Sequence, residues 1–179
     1  MYDYELTDAR FTCFFLLGQA WPSILRVVEK EVAKTGVSYE KLKALWICEG
    51  HPGPVTPAEL SRLLYRKSHS VAGLLDRMER DGLVTREPKR KGHPFTEIRA
   101  TEKGRELVRP GQSLVISLVG EMMSALTEDE QRQLVVLLRK LRDEALNKLR
   151  IEAKPWPGSG WRSADGGSVC QSVREEAAV

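Results

Sequence analysis

Cysteine is scarce in this chain of 179 residues. Cys13, Cys48 and Cys170 are odd in number and widely spaced, which argues against a disulfide framework. No C-x-x-C occurs, and the three histidines, His51, His69 and His93, show no metal-ligand spacing, so no metal or cofactor is expected. Nucleophile–base pairs and a Gly-rich phosphate-cradling loop are missing as well. No catalytic residue is therefore named, and an enzyme is the least favoured class. No uninterrupted apolar run reaches the roughly 18 residues that a membrane span needs. The N-terminus, MYDYELTDAR, carries three acids before its first Arg rather than the positive charge of a secretory leader. These absences lead us to expect a cytoplasmic protein with no membrane partner.

What is present has the composition of an ordinary soluble chain, with 41% hydrophobic and 30% charged residues. The formal net charge of +3 says little, but its distribution says more. Between Thr56 and Gly104 eleven Lys/Arg stand against seven Asp/Glu, while the rest of the chain sums to −1. A local positive segment is what a nucleic-acid footprint requires, although a merely solvated surface carries the same charge.

Residues 7–35 place Phe11, Phe14, Phe15, Trp21, Leu25, Val28 and Val32 at helical spacing, with Pro22 expected to kink or break the helix and Gly36 to stop it. Ser38 can cap a second helix that carries Leu42, Leu45 and Trp46. Thr56-Pro-Ala-Glu59 starts a third: Thr56 caps, Pro57 takes the first helical position, and Glu59 can close a capping box. After the turn at Arg66-Lys67, Ser68 is expected to cap a fourth helix. Its apolar stripe, Val71, Leu74, Leu75 and Met78, follows i, i+3, i+4, i+7 and ends at Gly82. Residues 83–86 and 95–99 read as strands joined by a basic turn, a β-hairpin. Thr101 caps a further helix, interrupted early by Pro110, and Thr127-Glu128-Asp129-Glu130 boxes the start of the last one. That last helix carries Leu134, Leu137, Leu138, Leu141, Ala145 and Leu149 on one side. From Lys154 onward Pro, Gly, Ser and Trp suggest a flexible tail.

Two packed helices followed by a hairpin make a winged helix-turn-helix. The fold class is mainly α with a small β-hairpin wing, flanked by N- and C-terminal helices. The organisation expected is an N-terminal helix over 1–36, a winged helix-turn-helix over 37–104, C-terminal helices over 105–153 and a tail over 154–179. Such a unit works by holding its second helix in the major groove. Opposite the apolar stripe that helix carries His69, Ser70, Gly73, Asp76, Arg77 and Arg80. Ser70 and His69 can reach base edges or phosphates, Gly73 allows close approach, and Arg77 suits guanine or phosphate. The DNA-facing set comprises Thr56, Arg66, Lys67, Ser68, His69, Ser70, Gly73 and Arg77, with Lys89, Arg90 and Lys91 at the wing tip reaching the minor groove and its phosphates. Asp76 is unfavourable beside phosphates and is expected to bond Arg77, Arg80 or another partner within the protein.

The segment from Val37 to Gly104 resembles the MarR family of regulators. The resemblance is carried by Thr56-Pro-Ala-Glu-Leu60, by Leu75-Asp-Arg-Met-Glu-Arg-Asp-Gly-Leu-Val-Thr-Arg86 and by Thr101-Glu-Lys-Gly104, and it extends over about 8–150. It implies a homodimer whose terminal helices interlock and whose winged domains straddle a pseudo-palindrome in double-stranded DNA, in the first instance as a repressor. The excess apolar surface of the terminal helices agrees with a symmetric partner. The family's wing usually carries Asp-x-Arg, and those positions fall on Gly92 and Pro94 here, so the wing role moves to Lys89, Arg90 and Lys91.

The resemblance also implies release by a small-molecule effector or by cysteine oxidation. The candidates are Cys13, Tyr39 and Trp46, with Trp21 and Tyr65 as further cavity aromatics. The apolar neighbours Phe11, Phe14 and Phe15 favour a buried structural Cys13 over a reactive one. Aromatics at helical spacing are more often core than pocket. The alternative to a sequence-specific regulator is a winged-helix protein-interaction or non-specific DNA-binding module.

Overall fold

The computed structural model describes residues 6–88 and 96–154. The elements run α1 (Ala9–Ala33), α2 (Tyr39–Gly50), α3 (Pro57–Leu63), α4 (Ser68–Arg80), β1 (Val84–Pro88), β2 (Thr96–Ala100), α5 (Glu102–Met123) and α6 (Glu128–Lys148). They fall into two units, residues 1–39 and 40–179.

The first unit is dominated by α1. Asp8 caps it, accepting from the Arg10 backbone N–H at 2.8 Å, and the Arg10 side chain beside it holds the Asp8 carboxyl below the usual range. Pro22 was expected to break the helix, yet α1 runs through it without interruption. The proline removes one bond to the Gly18 carbonyl. Both residues are exposed, so water can satisfy the freed oxygen. Pro110 lies equally uninterrupted inside α5, again in an exposed turn.

No uninterrupted apolar run reaches 18 residues, but mean hydropathy singles out α1. Among the described residues, α1 is the one helix long and apolar enough to cross a membrane by length and composition, with a mean hydropathy of 1.4 over its best window. Gly18, Gln19, Pro22 and Ser23 break the apolar run without lowering its average below that of a spanning segment. Phe11, Phe14, Phe15, Leu16, Leu17 and Trp21 are exposed along it.

In the second unit, Val71, Leu74, Leu75 and Met78 of α4 are buried, as the stripe predicts, together with Leu42, Leu45, Leu60 and Val115. Each burial of this size contributes about 1.5–3 kcal/mol. The strands pair antiparallel with Val84 opposite Ala100 and Pro88 opposite Thr96, so β1 runs two residues beyond the predicted 83–86. Ile98 N–H also donates to the Val55 carbonyl at 2.7 Å, which fastens β2 to the residue just before the α3 cap.

One junction sets where three elements meet. Gly82 ends α4 at φ +69°, a left-handed conformation that favours glycine. The Thr101 hydroxyl donates to the Gly82 carbonyl at 2.6 Å and accepts from Gly104 N–H at 3.1 Å, capping α5. Thr101 N–H donates to the Leu83 carbonyl at 3.0 Å. A Cβ on Gly104 would lie 2.3 Å from the Leu83 carbonyl oxygen and 2.9 Å from a Leu45 methyl. Only glycine lets α5 start this close.

At α6 the full capping box forms: Thr127 accepts from Glu130 N–H, and the Glu130 carboxylate accepts from Thr127 N–H at 2.7 Å. No residue of α6 is buried, and Val135, Val136, Leu137, Leu138, Leu141 and Leu149 are all exposed.

Substituting Gly104→Ala is expected to cost more than about 2 kcal/mol in urea unfolding, because backbone must move to admit the methyl. Gly82→Ala meets no neighbour and is expected to cost only about 1 kcal/mol, from its backbone conformation alone. A pH series gives a second check. Asp81 is paired with Lys41, whose ammonium holds the carboxyl below its ordinary value. A depressed folded pKa stabilises above the unfolded value, near pH 4, and this contribution is lost as pH falls through the folded value. Lys41→Met should therefore lower stability slightly at pH 7, by an amount that shrinks as the pH falls below about 4.

Candidate nucleic-acid interface

The outward stripe of α4 follows from its inward one. With Val71, Leu74, Leu75 and Met78 buried, the opposite side of a 3.6-residue helix carries His69, Gly73, Asp76 and Arg80, with Arg77 beside them. His69, Asp76, Arg77 and Arg80 are exposed, and Ser70 and Gly73 are half-buried. Arg77 extends back over Gly73: a Cβ there would lie 3.6 Å from Nη1 of Arg77. Glycine thus leaves the guanidinium room to lie along the helix surface. Arg77, Arg80, Lys67 and His69 enter no ion pair among the described residues.

Ser68 was expected to cap α4, but the cap is Lys67, which makes no side-chain capping bond, and Ser68 is already helical. The cause lies in the turn. The buried Ser61 hydroxyl donates to the Arg66 carbonyl, and Arg66 N–H donates to the Ser61 carbonyl at 2.9 Å. That folding starts α4 one residue early. The first amides of α4 consequently lack a side-chain acceptor, and an exposed helix start of this kind attracts anions.

Thr56 caps α3 as expected, accepting from Glu59 N–H at 3.1 Å. The capping box does not close there, because the Glu59 carboxylate pairs with Arg62 at 2.9 Å instead. Arg66 is exposed but paired with Glu40 at the start of α2, so part of its charge is already met. Lys89, Arg90 and Lys91 lie outside the described residues, as do Gly92, His93, Pro94 and Cys170.

Two further residues lie near α4: Tyr65, expected only as a cavity aromatic, and Arg86, expected only as part of the motif. Tyr65 occupies the turn between α3 and α4 at φ +52° and is 70% exposed. A left-handed tyrosine costs about 1–2 kcal/mol relative to a right-handed backbone, and no sequence signal announces it. Arg86 on β1 reaches across to Asp76 and Glu79 of α4, at 2.7 and 2.5 Å. Asp76 thus finds its partner within the protein, one that the motif around Arg86 contained without revealing.

The effector candidates separate. Tyr39 and Trp46 are buried, and burial, reinforced by Glu29, raises the Tyr39 phenol above its ordinary pKa. Trp21 and Tyr65 are exposed. Cys13, expected to be buried, is exposed, and so are its apolar neighbours Phe11, Phe14 and Phe15 on α1. Burial and then the neighbouring Glu49 charge push the Cys48 thiol up to about 12, so it stays protonated. A concavity of about 660 Å³ lies against Glu128, Gln131, Arg132, Val135 and Val136 of α6 and includes none of the effector candidates.

The family model described as MarR family matches residues 35–93. The HTH-type transcriptional regulator TtmR of Methylorubrum extorquens (strain PA1) is 31% identical over 142 residues, covering 79% of this chain and 68% of the relative. Among solved structures, the organohalide-sensing RdhR transcriptional regulator in its 2,4-dichlorophenol-bound form aligns with a TM-score of 0.70 and 25% identity, covering 82% of this chain and 86% of that one. A mutant MarR from E. coli, complexed with operator DNA, shares the fold with a TM-score of 0.67 and 23% identity over 77% of this chain and 99% of that one. With the helix-turn-helix, the hairpin and the flanking helices all in place, the chain belongs to the MarR family of transcriptional regulators.

Proposed function

We propose that this DNA-binding regulator, which is not an enzyme, reads a pseudo-palindromic operator as a homodimer and represses from it. The observation that carries the reading is the outward stripe of α4. His69, Gly73, Arg77 and Arg80 stand on one exposed face, with both arginines free of ion pairs among the described residues. Arg77 serves as the principal reader of guanine or phosphate, while Lys67, Ser68, His69 and Ser70 meet the backbone at the start of α4. Thr56 and Arg66 add contacts from the α3 side, and Lys89, Arg90 and Lys91 supply the wing. The operator-bound E. coli MarR supports this docking by analogy of fold.

The homodimer is supported by apolar surface left over within one chain. α6 buries nothing, yet carries Leu134, Leu137, Leu138 and Leu141 along one side, continued by its C-cap Leu149. α1 exposes Phe14 and Trp21, at 70% and 60%. Isolated patches of this extent mark an interface, and a second copy accounts for the hydropathy of α1 without a membrane, in keeping with a cytoplasmic regulator. Release by an aromatic effector is supported by the phenol-bound form of the RdhR regulator, with Tyr39 and Trp46 as its first candidates here. Release by oxidation would fall on exposed Cys13 and not on protonated Cys48.

Binding to the DNA upstream of the protein's own gene, titrated against salt, tests the core reading. Arg77→Ala is expected to weaken it by about tenfold or more, the magnitude of one lost base or phosphate contact. Wild-type binding that is weak, indifferent to scrambled sequence and unchanged by Arg77→Ala would sink the regulator reading in favour of an interaction module. Sedimentation should give a dimer at micromolar concentration, and Leu141→Lys should shift it to monomer with a parallel loss of DNA affinity.

A further inference from the structure

Asp76 is an anomaly on the outward face of α4. It sits between His69 and Arg80 on the exposed stripe and is itself 56% exposed, with Glu79 one turn away at 43%. Two carboxylates on a helix that approaches phosphates oppose binding by like-charge repulsion. Both are engaged by a single residue from another element. Arg86 of β1 donates from Nη2 to Asp76 Oδ1 at 2.7 Å, and from Nε and Nη2 to Glu79 Oε2 at 2.9 and 2.5 Å. The planar, forked guanidinium can serve two carboxylates at once in a way an ammonium cannot. Arg86 is the least exposed of the three, at 27%, and its guanidinium pKa is raised by the Glu79 and Asp76 bonds.

We infer that Arg86 is a positioning residue for DNA binding: it draws the Asp76 and Glu79 carboxylates out of the path of the phosphates and ties the base of the hairpin to α4, without touching DNA itself. The inference rests on the reading of α4 as the DNA-facing helix. Ion pairs this exposed contribute little to folding, so the effect of Arg86 appears in the bound state rather than in the melting temperature.

A double-mutant cycle on the full chain separates this role from direct contact. Duplexes selected from a random pool by wild-type protein serve as ligand, and binding is compared for wild type, Arg86→Gln, Asp76→Asn/Glu79→Gln and the triple variant. Arg86→Gln should weaken binding by about tenfold in the wild-type background but by less than about threefold once both acids are neutral, a coupling that distant, independent sites do not show. Melting temperatures of all four should stay close together. An equal loss in both backgrounds makes Arg86 a direct DNA contact and overturns the assignment, as does no loss in either. Weaker binding by Asp76→Asn/Glu79→Gln alone makes the carboxylates themselves readers and overturns it too. Failure of wild type to select any duplex overturns the DNA-facing reading of α4 on which the assignment stands.

Discussion

The close approach of Gly104 to the Leu83 carbonyl is the constraint on which the winged domain depends. At that point the end of α4, the start of β1 and the start of α5 share hydrogen bonds through Thr101, Gly82 and Leu83. A side chain at 104 would push them apart and change the angle between α4 and the hairpin. Ile98 to Val55 adds a second tie, from the returning strand to the residue that precedes the α3 cap. The orientation of α3, α4 and the wing is therefore set by backbone contacts, which leaves the outward side chains free to serve recognition.

Much of this was legible in the residues. The α4 stripe gave its face and its end, because a 3.6-residue period and a glycine are local signals. The caps at Thr56, Thr101 and Thr127 were legible for the same reason. Other features depend on which of several neighbouring groups wins a partner, or on groups distant in sequence. The start of α4 moved because Ser61 folds the turn onto Arg66, and the box at Glu59 failed because Arg62 competes for its carboxylate. Pro22 and Pro110 suggested breaks that the helices do not make, since a lost bond at an exposed turn is replaced by water. Burial of Cys13 was read from its neighbours, whereas burial depends on what covers those neighbours, and they are themselves exposed.

Charge on α4 shows the same division between local and distant. Arg77 and Arg80 are readable from the helix alone, while the fate of Asp76 is decided by Arg86, ten residues on and across the junction. Arg66 offers a contrast: it is cationic in the sequence but already answered by Glu40 in the fold. An anion approaching Arg66 would have to compete with that carboxylate, whereas Arg77 has no ion-pair partner among the described residues. The positive segment between Thr56 and Gly104 is thus not a uniform patch. Among its described residues, Lys67, Arg77 and Arg80 are free of ion pairs, whereas Arg62, Arg66, Arg86 and Arg99 are paired.

The left-handed Tyr65 carries a consequence for how the chain can change. A glycine or asparagine at this turn would relieve its backbone, and a β-branched residue there would be strained further. Random substitution at this site therefore faces an unusual landscape, in which the replacements that relieve the backbone remove the exposed ring and those that keep a ring keep the strain. A lineage selected for heat resistance would be expected to drift away from tyrosine here first, and one that keeps it would be keeping the phenol for what it meets in solvent.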